Sequence, residues 1–150
     1  MKEIPSHKLN FKNNIAYEVN SQTPFTGYEV KYYGNGQIEF KAQNKNGLYD
    51  GFYEEYYENG QLRIKGNFKN GLRDGLGEDY YENGQLKSMS YCKNGLLDGP
   101  IEIYYDSGQL RIKASYKNGK EDGLFEFYDE DGELIAKDTY KNGELIFDLI

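Results

Sequence analysis

Apolar and polar residues alternate along this chain in short runs that never reach helix length. After Gly51 the order is Phe52-Tyr53-Glu54-Glu55-Tyr56-Tyr57, a turn, Leu62-Arg63-Ile64-Lys65, then Phe68 before a second turn. Alternation with period 2 puts successive side chains on opposite faces of a strand. Two series of turn signals bound the runs. The first is Asn35-Gly36, Asn59-Gly60, Asn83-Gly84, Ser107-Gly108 and Asp131-Gly132. The second is Asn46-Gly47, Asn70-Gly71, Asn94-Gly95, Asn118-Gly119 and Asn142-Gly143. Asn-Gly and Asp-Gly accept positive φ at both centres of a type I′ turn, so the first series predicts two-residue hairpin loops. These turns leave segments of about 6–8 residues between them, which is strand length.

The turns recur because the whole text recurs. Gly27, Gly51, Gly75, Gly99 and Gly123 are spaced 24 residues apart. A fixed period of this size means stacked units, each burying apolar surface against its neighbours. The expected fold is all-β: an elongated, single, twisted antiparallel sheet of stacked β-hairpins. The five repeats are 27–50, 51–74, 75–98, 99–122 and 123–143. Residues 1–26 form an N-terminal cap, with a strand at Ile15–Val19 and a turn through Ser21–Pro24, and 144–150 form a C-terminal capping strand. The Phe-Lys-Asn-Asn of residues 11–14 looks like the Phe-Lys-Asn-Gly of 68–71.

A two-residue loop at Asn59-Gly60 sets a register. Tyr57 then faces Leu62, Tyr56 faces Arg63, Glu55 faces Ile64 and Glu54 faces Lys65. The same pairing puts Glu102 by Lys113 and Glu126 by Lys137, each pair worth roughly 0.2–1 kcal/mol. The third repeat breaks the series with Glu78 opposite Met89, and the first puts Val30 opposite Lys41. One face is expected to carry Ile38, Leu62, Leu86, Leu110 and Leu134, flanked by Tyr33, Tyr57, Tyr81 and Tyr105. The other is expected to carry Tyr56, Tyr80, Tyr104 and Tyr128 beside Arg63, Lys87 and Arg111. Tyr and Arg are enriched in interface hot spots, so this second row is the candidate partner-binding face.

Composition narrows the chemistry. The chain has 150 residues, of which 37% are hydrophobic, low for a protein with a central core. Its 16 Tyr suit a thin structure in which side chains meet both apolar neighbours and water. A net charge of −7, with basic residues spaced singly, argues against a nucleic-acid partner. Cys92 is alone, so no internal disulfide forms, and it takes the place that Phe68, Tyr116 and Tyr140 fill in other repeats. It reads as a small buried hydrophobe. His7 is the only His and lies outside the repeats, leaving no triad base and no His-rich metal site. The Asp of Asp50-Gly51, Asp74-Gly75, Asp98-Gly99 and Asp122-Gly123 reads as a turn residue rather than a calcium ligand. No metal or cofactor is expected. Carboxylate pairs such as Glu54 and Glu55 repeat along the chain, whereas a catalytic pair occurs once, so no enzyme is expected. There is no 18-residue apolar run to span a membrane. The start, MKEIPSHKLNF, lacks the apolar stretch of a signal peptide, and a cytoplasmic location is expected unless Met1 replaces such a segment.

The unit G-x-x-x-x-Y-Y-x-N-G-Q-L, followed by Y/F-K-N-G-x-x-D-G, resembles the bacterial MORN-repeat variant. The run from Ile15-Ala16-Tyr17 to Pro24-Phe25-Thr26-Gly27 is similar to the opening of YwqK-type antitoxins. The resemblance covers about residues 11–143. It implies stacked hairpins and a role as antitoxin or protein-binding scaffold. Together with the residues, the expected function is a non-enzymatic protein-interaction module, in its finer form the antitoxin of a toxin–antitoxin pair with a toxin as its protein partner. It carries over no site residues. The unit lacks the Trp and closely spaced glycines of the ordinary MORN repeat, which with the acidic charge speaks against lipid binding. The alternative is a cell-wall or choline- and carbohydrate-binding repeat protein, since aromatic faces bind quaternary ammonium. The terminal strand, Glu144–Ile150, is rich in apolar residues and is expected to support a weak homodimer or dock a partner.

Overall fold

The computed structural model describes residues 1–149. Among them there is no α-helix, only a single 3₁₀ turn at Ser6–Lys8. The strands are β1 (Glu3–Pro5), β2 (Leu9–Lys12), β3 (Ile15–Glu18), β4 (Gly27–Tyr32), β5 (Ile38–Lys45), β6 (Leu48–Tyr56), β7 (Leu62–Lys69) and β8 (Leu72–Arg73). They continue with β9 (Gly75–Tyr80), β10 (Leu86–Lys93), β11 (Leu96–Tyr104), β12 (Leu110–Lys117), β13 (Lys120–Glu121), β14 (Gly123–Tyr128), β15 (Leu134–Lys141) and β16 (Glu144–Leu149). Among the described residues, 14 strands make one open sheet in chain order from β4 to β16. β1 lies parallel to β4 at one edge, and every other pairing in the sheet is antiparallel. At the usual strand spacing its path is about 53 Å long.

The two turn series do different work. At Asn70-Gly71 both φ angles are positive, 51° and 81°, and the turn closes Lys69 against Leu72. This is the two-residue type I′ hairpin, and it belongs to the second series. The first series differs from expectation. Gly60 alone has positive φ, 86°. Its N–H donates to the Tyr57 carbonyl (2.9 Å), while the Tyr57 N–H donates to Gln61 (2.8 Å). The loop therefore has three residues, a type I turn with glycine at its left-handed end. Asn59 serves through its side chain, accepting from the Gln61 N–H at 2.9 Å.

The longer loop moves the pairing by one residue, so Tyr56 faces Leu62. A β-bulge at Arg63 then moves it back, and Glu55 faces Ile64 and Glu54 faces Lys65 as the sequence predicts. Glu39, Lys87, Arg111 and Ile135 are the extra residues in the other repeats. The bulge overturns part of the expected face assignment: Ile38 joins Tyr32, and Leu62, Leu86, Leu110 and Leu134 join Tyr56, Tyr80, Tyr104 and Tyr128.

Burial is concentrated at the N-terminal end, where Ile4, Leu9, Ala16 and Phe25 form a small core. Asn13 and Asn14, at φ 52° and 62°, turn β2 into β3, which makes the Phe-Lys-Asn-Asn likeness real. The cap is stitched to the first repeat by the Ala16 N–H donating to Gly47 (2.9 Å) and the Gly47 N–H donating to Phe25 (2.7 Å). The strand in the cap ends at Glu18, and β1 is an element that the sequence reading missed.

Beyond the cap the units are tied by hydroxyls and rings. Tyr33, Tyr57, Tyr81 and Tyr105 each donate to the backbone carbonyl of the next repeat, on Tyr56, Tyr80, Tyr104 and Tyr128, at 2.5–2.8 Å. Asp129 ends that series. Asp50 and Asp98 accept from the turn N–H groups of Asn70 (3.1 Å) and Asn118 (3.3 Å), each securing the following hairpin. Rings of one face pack in two groups. Tyr53 lies 5.1 Å from Phe40 and 5.3 Å from Phe68, and Phe125 lies 5.7 Å from Tyr116 and 4.7 Å from Tyr140.

Candidate interaction surface

A single rung crosses ten strands of the sheet. Neighbour by neighbour it reads Val30, Lys41, Glu54, Lys65, Glu78, Met89, Glu102, Lys113, Glu126, Lys137. Charges alternate from Lys41 to Lys137 except at Met89. Facing does not mean ion pairing. Among the described residues only Lys137 and Glu126 of these pairs close, to 3.6 Å, and Lys41 turns instead to Glu3 at 3.1 Å. The carboxylates are held by phenols two residues on. Tyr56 donates to Glu54 (2.6 Å), Tyr80 to Glu78, Tyr104 to Glu102 and Tyr128 to Glu126 (3.0 Å).

These bonds leave a mark on the phenols. The Glu78 and Glu102 carboxylates, with partial burial second, push Tyr80 and Tyr104 up to about 12. Burial first, then the Glu54 carboxylate, takes Tyr56 to about 12. Tyr128 is raised in the same way by Glu126. A phenol that donates to a carboxylate resists losing its proton, because the phenolate would face a second negative charge.

The expected row of Tyr and basic residues is split between the faces. Tyr56, Tyr80, Tyr104 and Tyr128 line the charged face beside the rung. Arg63, Lys87 and Arg111 are bulge residues, and their contacts lie on the aromatic face. The Arg63 guanidinium sits 5.9 Å from the Tyr57 ring centre and 3.7 Å from Glu55. Lys87 and Arg111 sit 5.6 Å from the ring centres of Tyr81 and Tyr105. The bulge turns them away from the partners a plain strand would give. Sequence reasoning missed the Tyr–Glu pairs. Their signal was present, since Glu at i−2 of the first Tyr recurs in four repeats and period 2 puts both on one face.

The third repeat is bare on its aromatic face. It presents Gly77, Asp79, Ser88, Ser90 and Cys92 where the fourth presents Ile101, Ile103, Ile112, Ala114 and Tyr116. Ser88 donates to Asp79 at 3.0 Å. The gap between the two ring groups leaves a cavity of ≈ 30 Å³ against Tyr53, Phe68 and Cys92, far below the size of a small-molecule site. Among the described residues no three His, Cys, Asp or Glu are grouped to hold a metal ion, and no helix is long and apolar enough to cross a membrane.

Comparison with curated proteins finds no significant match. The family profile described as MORN repeat variant matches residues 49–70, 73–94, 97–118 and 121–142, more than half of the chain. Each matched segment holds one hairpin with its three-residue loop and ends at the Asn of a type I′ turn. The first hairpin, β4–β5, lies outside the matches but repeats the same loop and bulge. In sequence profile and in the hairpin stack it encodes, the chain belongs to the MORN-repeat-variant family.

Proposed function

We propose that this chain is a non-enzymatic protein-interaction module and, more finely, the antitoxin that covers a toxin in a toxin–antitoxin pair. The observation that supports it is the charged face, where one rung runs through ten strands beside a row of four tyrosines and offers many similar patches. Catalysis needs a singular group, and every Tyr–Glu pair on this face has siblings in other repeats. The antitoxin form rests on the likeness of residues 15–27 to YwqK-type openings, and a cytoplasmic setting goes with it. A choline- or carbohydrate-binding role is the weaker alternative. The rings of the larger aromatic group pack on one another at 5.1–6.2 Å, taking up the space a quaternary ammonium would need. Weak self-association through β16 belongs to the same reading, with Leu145 and Ile146 54% and 61% exposed.

Affinity capture from the native host tests the module. The wild type is expected to retain a defined protein that a Tyr80→Ser, Tyr104→Ser variant of unchanged circular dichroism loses. Growth rescue on co-expression with the product of the neighbouring reading frame is the expected result for an antitoxin. Capture of nothing specific sinks the reading, and sedimentation unchanged on deleting 144–150 removes the self-association.

A further inference from the structure

The third repeat departs from its siblings on both faces at once, in opposite senses. On the aromatic face it has Gly77 and Cys92 where the second repeat has Tyr53 and Phe68 and the fifth has Phe125 and Tyr140. On the charged face it has gained apolar groups. Met89 stands where Lys41, Lys65, Lys113 and Lys137 stand. In the next row Leu76 faces Tyr91, whereas the corresponding partners in the other repeats are Gln43, Asn67, Ser115 and Thr139. Leu76 and Tyr91 are 38% and 36% exposed.

The rung explains what this patch lacks. Lys65 stands between Glu54 and Glu78, and Lys113 between Glu102 and Glu126. Between Glu78 and Glu102 there is only Met89. Both carboxylates are fixed in place, one by Tyr80 and one by Tyr104. An apolar floor with a held carboxylate on each side complements a side chain that has an apolar stem and a cationic head.

We propose that this patch docks a basic segment of a partner protein, with one lysine or arginine lying along Met89 and its charge between Glu78 and Glu102. The partner then supplies the positive rung that this chain omits, and Leu76 and Tyr91 give its neighbouring residues apolar surface to cover. The chain's net charge of −7 favours approach of such a partner. The proposal rests on the interaction-module reading and deepens it to a site and a partner chemistry.

Met89 and Met1 are the only methionines, so the Met89 methyl resonance is a clean reporter on the full chain. The probe is the peptide acetyl-Val-Arg-Val-Arg-Val-amide, with acetyl-Val-Glu-Val-Glu-Val-amide as the control. The basic peptide is expected to shift the Met89 methyl saturably, and the acidic one to leave it in place. Met89→Lys completes the rung and, with affinity read by isothermal titration calorimetry beside the wild type because the reporter methyl is gone, is expected to weaken binding at least tenfold with circular dichroism unchanged. Lys113→Met opens a second gap, between Glu102 and Glu126, and is expected to add a second saturable site. Absence of a saturable shift, equal response to both peptides, or undiminished affinity in Met89→Lys overturns the proposal. So does a Met89 shift that follows protein concentration without peptide, which would make the occupant a second copy. A chain that captures its host partner equally well as Met89→Lys keeps the module reading and loses this one.

Discussion

The phenol of Tyr80 shows what a single residue contributes to this fold. It donates to Glu78, and the carboxylate holds its proton up to about 12, above the ordinary tyrosine value near 10. A group raised on folding stabilises the protein fully below its unfolded value and loses that contribution as pH climbs through the folded one. The Tyr80, Tyr104 and Tyr56 bonds are therefore intact below pH 10 and fail between about 10 and 12. Ultraviolet titration of the phenolates is expected to show a late phase containing these tyrosines, with urea stability falling over the same window. Glu78→Ala is expected to move one phenol from the late phase back to the ordinary range. A late phase of unchanged amplitude in that variant would disprove the pairing. The basic residues teach the complementary lesson. Simple alternation puts Arg63, Lys87 and Arg111 on the face of Tyr56, and one inserted residue per hairpin carries them to the other face.

At the scale of the hairpin, the sequence discloses almost everything that repeats. Turn positions, strand lengths and the Glu54–Lys65 register all follow from Asn-Gly spacing and period 2. The errors have one origin. Asn-Gly is compatible with both a two-residue I′ loop and a three-residue loop, and the text does not distinguish the roles of Asn59 and Asn70. In the first the asparagine acts through its side chain, in the second through its positive φ. The bulge at Arg63 then cancels the loop's shift, so a wrong loop gave a right register four residues away. The parallel strand β1 was illegible because it pairs with β4 by a contact outside the repeat. The gap in the third repeat is an element-scale feature with an element-scale test. Gly77 has no positive φ, and a Cβ there would meet nothing closer than 3.8 Å. It aligns with Phe125, whose ring packs on Tyr116 of the preceding repeat at 5.7 Å. Gly77→Tyr would set an introduced ring toward Phe68 in the same way. It is expected to raise stability by about 1 kcal/mol, read as a higher urea midpoint at unchanged slope. A lower midpoint would show that the bare strand is needed by the fold.

At the scale of the molecule, the sheet is a one-dimensional stack with unlike ends. One edge is closed by β1, and the cap hairpin bonds to the first repeat, while β16 ends the sheet on the other side. Between them each repeat touches only its neighbours, so the stack should tolerate losing a whole unit and no fraction of one. Removing residues 51–74 joins Asp50 to Gly75 and keeps the beat. Glu78 then falls opposite Lys41, where Glu54 stood, and the carbonyl of Tyr80 reaches the position that accepts from Tyr33. The loss is one hairpin and one interface of a kind that remains elsewhere. The shortened chain is expected to keep a β-sheet circular dichroism spectrum and a cooperative urea transition. Its denaturant slope should fall by about a sixth, in proportion to the surface removed. Removing residues 51–70 instead leaves Gly71 after Asp50, puts the next turn out of phase and breaks every rung beyond it, so that chain is expected not to fold. If both deletions unfold the protein, stability does not divide by repeat, and the cap core of Ile4, Leu9, Ala16 and Phe25 would have to be holding the whole sheet together.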